Sequence, residues 1–337
     1  MPILRTVRNR ISLRLERRKL QVRALWKARE LSVVRDLTAT MPSGPILFST
    51  VRNEAVRLPY FLDYYRRLGV VQFLIVDNGS EDGTQDLLTA ERDVSLWHTS
   101  GSYKSSRFGV DWLNALLTRY GHGRWVLVAD PDEFLVFPHI ERGLAPLIRW
   151  LESTGAESFG VMLLDMYGDG SVAHTHCRVG QDPIAAAPYF DSANYMVTRD
   201  AHYQNLWIQG GPRQRVFFKD HPQAAPALNK IPLVRWRRGF VYKAGAHDLL
   251  PRRLNRTYAR TGGSRTSGVF LHAKFMDVLN DKVAEEVTRR QHYADSAEYA
   301  SYAGHGSDLC LCTPHSVRFK DWQQLCDLGL MARGGWL

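Results

Sequence analysis

Residues 71–84 read VQFLIVDNGSEDGT, an apolar run that passes directly into a polar turn. Another apolar run lies at 46–51, and apolar residues at helical spacing fill 55–68 between the two. Gly69 ends that helix, since glycine tolerates the left-handed backbone of a helix C-terminus. A further helix is expected near 85–90. This alternation of strands and helices predicts parallel strands in an α/β fold.

The same alternation continues to a buried strand at 125–129, which ends at Asp130. Ligand sites in open α/β sheets lie beyond the carboxyl ends of strands, where Asp77 and Asp130 are both placed. The pattern is less regular after residue 150. The other elements expected are strands at 95–97, 159–164, 214–218, 240–243 and 268–272, and helices at 107–119, 276–291 and 317–328.

The strongest chemical signal is WVLVADPDEF at 125–134, where an apolar strand delivers three carboxylates to one loop. Such crowding is unfavourable unless a cation or strong donors compensate it. Mg²⁺ or Mn²⁺ takes one or two carboxylates and completes its shell with water and phosphate oxygens. The alternative is an acidic turn that caps the next element. The polar turn at 77–84 is ambiguous by itself, because it is also good turn and N-cap chemistry.

Together the two loops resemble the family 2-like glycosyltransferases of bacterial surface-polysaccharide loci, over about residues 45–335. The likeness continues in later segments that share the order of the family's motifs. Those segments are 49–54, 75–84, 130–134, 210–217, 228–233, 245–247 and 271–275. The resemblance implies a GT-A-like, Rossmann-like α/β fold with a mostly parallel sheet flanked by helices. It also implies transfer of a sugar from a nucleotide-sugar donor.

Roles for individual residues follow from that resemblance. It implies a nucleotide pocket wall at Arg52, Asn53 and Glu54, and a base or ribose contact at Asp77. Asp130 and Asp132 match the DxD pair that meets metal and diphosphate, and Glu133 is expected to brace that loop. A late histidine in the family binds metal or phosphate. The expected metal ligands are thus Asp130, Asp132 and His272, with Lys274 on a phosphate oxygen and His247 as the competing histidine.

Four further cations are placed for phosphate, and arginine suits bidentate phosphate recognition. Lys104 and Arg107 precede the helix that leads to Asp130, while Arg213 and Arg215 alternate on the strand expected at 214–218, which would put both on one face. The alternative is that Arg213 and Arg215 lie on a strand edge, where they are exposed to solvent or form salt bridges. No sequence motif identifies the catalytic base. Its candidates are Asp165 and Asp248, with Asp169 and Asp191 also available.

A net charge of +10 invites a nucleic acid, an anionic membrane surface or a phosphorylated small molecule as partner. Much of the excess lies in the first forty residues, where 8–36 read as an interrupted amphipathic helix. That helix either packs on the body or lies on anionic lipid headgroups. Because we find neither a membrane-spanning run nor a secretory signal, we expect a cytoplasmic protein, with peripheral contact at the inner membrane face as the open alternative.

We therefore expect one catalytic domain in two halves, 45–150 with the nucleotide-sugar site and 151–337 with the acceptor side, after a basic helix and linker at 1–44. The expected reaction is metal-dependent transfer from a nucleotide sugar, UDP-linked by preference, to a saccharide or lipid-linked acceptor in surface polysaccharide biosynthesis. The alternatives are a non-catalytic nucleotide- or sugar-binding module, and a metal-dependent nucleotidyl or phosphoryl transferase. No nucleic-acid motif is present in the body, so nucleic acid is not expected as a partner.

Overall fold

The structure, a computed structural model, describes residues 2–258, 265–277, 291, 302 and 309–336, with side chains in the first helix from residue 9. The helix expected at 276–291 lies almost entirely outside the described residues. The helices are α1 Pro2–Lys27, α2 Leu58–Arg67, α3 Thr84–Ala90, α4 Val110–Tyr120, α5 Leu144–Ser153, α6 Pro183–Ala186 and α7 Trp322–Asp327.

Eleven strands of the described chain form one large sheet, and two hairpins stand apart from it. The large sheet contains β1 Ser32–Arg35, β2 Ile46–Val51, β3 Gln72–Asp77, β4 Val94–His98, β5 Trp125–Val128, β6 Glu133–Val136, β7 Ser158–Tyr167, β8 Tyr189–Asp191, β11 Asn229–Arg235, β14 Gly268–Phe275 and β15 Ser316–Arg318. The hairpins are β9 Tyr195–Asp200 with β10 Asn205–Gly210, and β12 Val241–Ala244 with β13 Asp248–Leu250.

The main path of the sheet runs β1-β4-β3-β2-β5-β11-β7-β14-β6, and β15 joins it through β8, which pairs with β7. Strands β4, β3, β2 and β5 are mutually parallel, as are β7 and β14. Strand β11 runs against both of its neighbours, β5 and β7. Seven of these eleven strands point the same way, which confirms the predicted α/β fold with a mainly parallel sheet.

Both faces of the parallel strands are covered, which explains their nearly continuous apolar sequences. Along β3, Phe73 and Ile75 enter the core that contains α2, whereas Leu74 and Val76 enter the core that contains α4. The period of two residues in a strand sends neighbouring side chains to opposite faces. Sheet and helices thereby fix the carboxyl edge of the sheet on which the polar loops lie.

Three sequence predictions are wrong in detail. The helix expected over 8–36 ends at Lys27, and residues 32–35 form β1, which pairs antiparallel with the otherwise open side of β4. The helix expected over 317–328 begins only at Trp322, after Asp321, whose Oδ1 accepts a hydrogen bond from the Gln324 amide (2.8 Å). The first residues of that predicted helix belong instead to β15, which pairs with β8.

The strand predicted at 214–218 is also absent, since Arg213–Phe217 forms a π-helical turn. Gly210 and Gly211 have φ of 144° and 65°, which turns the chain away from the line of β10. A Cβ at Gly210 would lie 2.1 Å from the Asn194 carbonyl oxygen, so no other residue fits there. Pro212 then starts a helical turn instead of a new strand.

Candidate functional site

The polar residues of interest meet at one edge of the large sheet. Strands β5, β7 and β14 end at this edge, and β6 and β11 begin there because they run antiparallel to their neighbours. His272 on β14 is directly opposite Glu133 on β6 and Asp165 on β7. Residues paired across strands share a face of the sheet, so the fold places these three side chains in one row.

A buried chain of hydrogen bonds orients His272. The Arg213 Nε donates to the Asp165 Oδ2 (2.7 Å), and the His272 Nδ1 lies 2.6 Å from the Asp165 Oδ1. Because a carboxylate only accepts, Nδ1 carries a proton and Nε2 faces outward, 3.6 Å from the Asp132 Oδ2. The side chains of Arg213, Asp165 and His272 are all nearly inaccessible to solvent. The sequence therefore builds a histidine whose outer nitrogen is aimed at Asp132.

The charged neighbours of Asp165 and His272 determine the direction in which the pKa of each residue is shifted. Burial raises the pKa of Asp165, but Arg213 and His272 outweigh it and hold that pKa below its ordinary value. Burial lowers the pKa of His272, but Asp132 and Asp165 reverse the effect and raise it. Asp165 is thus a carboxylate fully engaged on both oxygens.

Asp132 is fixed by a second cation, Arg57. The Arg57 Nη1 lies 3.4 Å from the Asp132 Oδ2, while Nε and Nη2 bind the two oxygens of Glu54 at 2.8 and 3.1 Å. The Asp132 carbonyl also accepts from the Ala273 amide (2.8 Å), which ties the loop to β14. The Asp132 carboxylate keeps 19% of its surface open to solvent, so a ligand can reach it.

Lys230, the second residue of β11, neutralises the other two carboxylates of the loop. Its Nζ lies 3.1 Å from the Asp130 Oδ2 and also binds the Glu133 carboxylate, whose Oε2 accepts from the Asp130 amide (3.2 Å). Burial raises the pKa of Glu133 to about 7, against the opposing effect of Lys230. Burial lowers the pKa of Lys230, but Asp130 and Glu133 raise it above its ordinary value. Asp130 alone remains half exposed.

The predicted nucleotide wall lies at the ends of β2 and β3 and is internally bonded. The Arg52 Nη1 donates to the Asn78 carbonyl (2.8 Å), and the Asn53 amide donates to the Ser80 hydroxyl (2.9 Å). Asp77 is fully buried and accepts from the Ser80 amide (3.3 Å), with His98 Nδ1 3.2 Å away. The wall is a rigid surface, and nucleotide contact by these residues stays a prediction.

The other predicted residues are divided among several environments. Arg213 and Arg215 do not share a face, since Arg213 binds Asp165 and the Arg215 Nε binds the Asp191 Oδ2 (2.9 Å). The Arg107 Nε binds the Asp111 Oδ1 (3.0 Å). The Lys104 amide donates to the Gln291 Oε1 (3.2 Å), and the Lys274 ammonium lies 5.2 Å from the Tyr302 ring centroid.

Asp248 is buried and His247 is partly buried. The Asp248 Oδ1 accepts from the Asn205 Nδ2 (2.6 Å) in a buried cluster separate from the row on β6, β7 and β14, and burial raises the pKa of Asp248. The His247 Nδ1 lies 2.5 Å from the Asn229 carbonyl oxygen, so this nitrogen holds the ring proton. Burial, followed by Lys230, lowers the pKa of His247 to about 4, and its ring is neutral.

Lys230 and Arg57 contact the acidic loop but were not among the predicted site residues. Lys230 had a usable signal, because a lysine within the apolar run around 228–234 is buried only when a carboxylate pairs with it. Arg57 had no such signal, since it lies at a helix start, 75 positions before Asp132 in the chain.

This edge of the sheet offers some, but not all, of the ligands that a divalent metal ion needs. Among the residues that the structure describes, no group of three or more His, Cys, Asp or Glu side chains is placed so that it could hold a metal ion. Asp132 and His272 do face each other, and the Asp165 bond to the other imidazole nitrogen is the usual support of a metal-binding histidine. Mg²⁺ and Mn²⁺ sites of this kind draw their remaining ligands from water and substrate phosphates.

A short segment of the chain is similar in sequence to a known glycosyltransferase. No protein-family profile matches the chain. It is 30% identical over 96 residues to a glycosyltransferase family 92 protein of Oryza sativa subsp. japonica, a match that covers 26% of this chain and 15% of that protein. The chain thus spans a small part of this relative, and neither family 2 nor a bacterial origin follows from it.

Solved structures with partial similarity include a mannosyltransferase from Pyrobaculum calidifontis in complex with GDP-Man and Mn²⁺. It shares 18% identity over 45% of each chain, with a TM-score of 0.28. A UDP-glucose pyrophosphorylase from Acinetobacter baumanii shares 10% identity over 79% of this chain and 82% of its own, with a TM-score of 0.25. Scores this low mean that the structures superpose only loosely, and no function follows from them.

Proposed function

We propose that this chain is a metal-dependent glycosyltransferase that transfers a sugar from a nucleotide-sugar donor, UDP-linked by preference, to a saccharide or lipid-linked acceptor. The observation that carries the proposal is the buried chain from Arg213 through Asp165 to His272, which aims an imidazole nitrogen at Asp132. Structural cores rarely bury so many charges without a functional use, because each costs several kcal/mol to desolvate.

In this proposal Asp132 and His272 hold a Mn²⁺ or Mg²⁺ ion, and the half-exposed Asp130 becomes the third protein ligand by turning away from Lys230. The ion would neutralise charge that develops on the departing diphosphate. Asp165 and Arg213 position His272, and Arg57 positions Asp132. Lys230 keeps the loop folded while the ion is absent, since it already compensates Asp130 and Glu133.

The remaining roles follow from the environments of the side chains. Arg52, Asn53, Glu54 and Asp77 form the nucleotide wall, and Lys274 follows His272 closely enough along the chain to contact the same phosphates. Asp165 is a positioning residue in this proposal, because both of its oxygens are engaged and its pKa is lowered. Asp248 stays a candidate for the base because burial raises its pKa, but its carboxylate lies in a buried cluster separate from the row that contains His272.

The test is calorimetric titration of the full chain with UDP and GDP, with and without Mn²⁺. We expect Mn²⁺-dependent binding of one diphosphate, weakened at least about tenfold by Asp132→Asn and by His272→Gln. Asp63→Asn is the matched control, because Asp63 is an exposed carboxylate that pairs with Arg67 one helical turn away. Diphosphate binding that ignores both Mn²⁺ and the two site variants would show that the site is misassigned.

Product analysis separates this proposal from nucleotidyl transfer. A glycosyltransferase releases a nucleoside diphosphate from its nucleotide-sugar donor, whereas a nucleotidyltransferase that runs from a sugar phosphate releases pyrophosphate. One incubation contains nucleotide sugars and Mn²⁺ and is followed by chromatography of the released nucleotides. A second contains nucleoside triphosphates, sugar phosphates and Mn²⁺ and is followed by an assay for pyrophosphate. Pyrophosphate release from a nucleoside triphosphate, without diphosphate release from any nucleotide sugar, would overturn the proposal.

A further inference from the structure

The first helix, α1, is fixed to the rest of the protein along one face. Leu13 and Ala24 are buried against the body. The Arg23 Nε lies 2.6 Å from the fully buried Asp111 carboxylate, and the Lys27 Nζ donates to the Ser105 hydroxyl (3.0 Å). The position and rotation of the helix about its axis are therefore set by specific contacts.

The opposite face of α1 is apolar and exposed. Its large hydrophobic side chains each keep more than half of their surface open to solvent, and they are Ile11, Leu15, Val22, Leu25 and Trp26. Their spacing of three, four and seven residues places them along one side of an α-helix. Isolated exposed apolar residues are ordinary, whereas an aligned row on a single helix marks an interaction surface.

Cations border this row. Arg14, Arg18, Lys19 and Arg29 are exposed on the same helix or directly after it, and the Arg29 guanidinium lies 4.8 Å from the Trp26 ring centroid. The first forty residues contain eleven Lys or Arg against three Asp or Glu, and so provide eight of the ten net positive charges of the chain. The surface formed by the apolar row and its cations is called the α1 outer face below.

We propose that the α1 outer face docks onto an anionic phospholipid bilayer, with the helix parallel to the membrane plane. A helix that places Trp, Leu and Ile on one side and Arg or Lys around them inserts its apolar side at the headgroup boundary, while its cations attract anionic headgroups. A nucleic acid would complement the cations but would leave five large hydrophobic side chains unmatched. No helix of the described residues is long and apolar enough to cross a bilayer.

This docking stands independently of the proposed reaction, and it also fits a lipid-linked acceptor. Lys27 touches Ser105, and Ser105 belongs to the loop that follows β4 at the carboxyl edge of the sheet. The helix that would meet the bilayer thus contacts the edge that carries the candidate site.

The experiment is co-sedimentation of the full chain with vesicles of phosphatidylcholine alone or mixed with phosphatidylglycerol. We expect binding only to the mixed vesicles. The double variant Leu15→Glu with Val22→Glu should reduce the partition coefficient at least about tenfold, and Arg18→Gln with Lys19→Gln should reduce it roughly fivefold for each charge removed. Val179→Glu, an equally exposed apolar residue outside α1, is the matched control and should bind like the wild type.

Three results would overturn the proposal. One is retention of wild-type vesicle binding by the Leu15→Glu and Val22→Glu variant. Another is equal or tighter binding to duplex DNA that this variant leaves unchanged. The third is a dimer in light scattering that the variant disrupts, without vesicle binding by the wild type. Unchanged thermal unfolding and unchanged diphosphate binding by the variants separate loss of docking from misfolding and from failure of the proposed site.

Discussion

The two ends of the carboxyl edge are both polar, but they are held together by different kinds of contact. In the turn after β3, Ser80 binds Asp77 and Thr84 binds Asp82, across three and two residues of chain. Around Asp132 and Asp165 the partners come from elements 48 to 107 residues away. The turn bonds within itself and to residues 53–55, which lie 27 to 30 positions away, whereas the cluster pairs buried charges from elements farther apart in the chain. The cluster should therefore respond to mutation much more strongly than the turn.

The largest expected effect comes from Asp165. Asp165→Asn removes the buried negative charge that both Arg213 and His272 contact. We expect the free energy of unfolding to fall by about 4 kcal/mol, as for other broken buried pairs. Urea denaturation measures this loss, and Asp63→Asn on the surface should change stability by less than about 1 kcal/mol. A loss as small as that of the surface variant would remove the contrast between cluster and turn.

Lys230→Met should have an intermediate effect that depends on pH. The substitution leaves Asp130 and Glu133 without their cation, and we expect a loss of about 3 kcal/mol near pH 8. The folded pKa of Glu133, already about 7 against an ordinary 4.5, rises further when Lys230 is removed. A raised carboxyl pKa favours folding at low pH and loses that contribution as the pH rises through the folded value.

The deficit of Lys230→Met relative to the wild type should accordingly shrink when urea denaturation is repeated near pH 5. A deficit that stays constant between about pH 8 and pH 5 would mean that Glu133 does not take up the proton. In that case Lys230 stabilises the fold through packing of its alkyl chain.

The smallest effect is expected in the turn. Ser80→Ala removes the hydroxyl that binds Asp77 and accepts from the Asn53 amide, and it should lower the free energy of unfolding by about 1 kcal/mol. Ser153→Ala, at the exposed end of α5, is the control and should change it by less than about 0.5 kcal/mol. If Ser80→Ala cost as much as Lys230→Met, the turn would be as dependent on tertiary structure as the charged cluster.

This contrast also explains what the sequence could predict. The ends of strands β2 and β3 were predicted to within about one residue. Both strands are covered on both faces, and their sequences are therefore continuous apolar runs that can be recognised locally. The acidic residues Asp130 and Asp132 were singled out for the same reason, as a local group at a strand end. Lys230 and Arg57 were not predicted because their carboxylate partners are far away in the sequence. The tertiary fold brings these residues into contact.

The error at 214–218 has a local cause. Alternating Arg213 and Arg215 resemble a strand, but Gly210 and Gly211 adopt positive φ and Pro212 starts a helical turn. The glycines were visible in the sequence, yet their φ values depend on the close approach of the Asn194 carbonyl. Backbone contacts of this kind depend on the tertiary fold, so they cannot be predicted from a local sequence pattern.

The reversed strand β11 has a consequence for synthesis of the chain. The strands β2 to β5 can pair soon after they leave the ribosome, but Lys230 follows Asp130 by 100 residues. At typical rates of about 5–20 residues per second, Asp130 and Glu133 wait roughly 5–20 s for Lys230. Asp132 has its partner Arg57 earlier in the chain, so solvent ions must screen the other two carboxylates during this interval. The edge proposed to carry the chemistry is therefore assembled late, on a scaffold that has already formed.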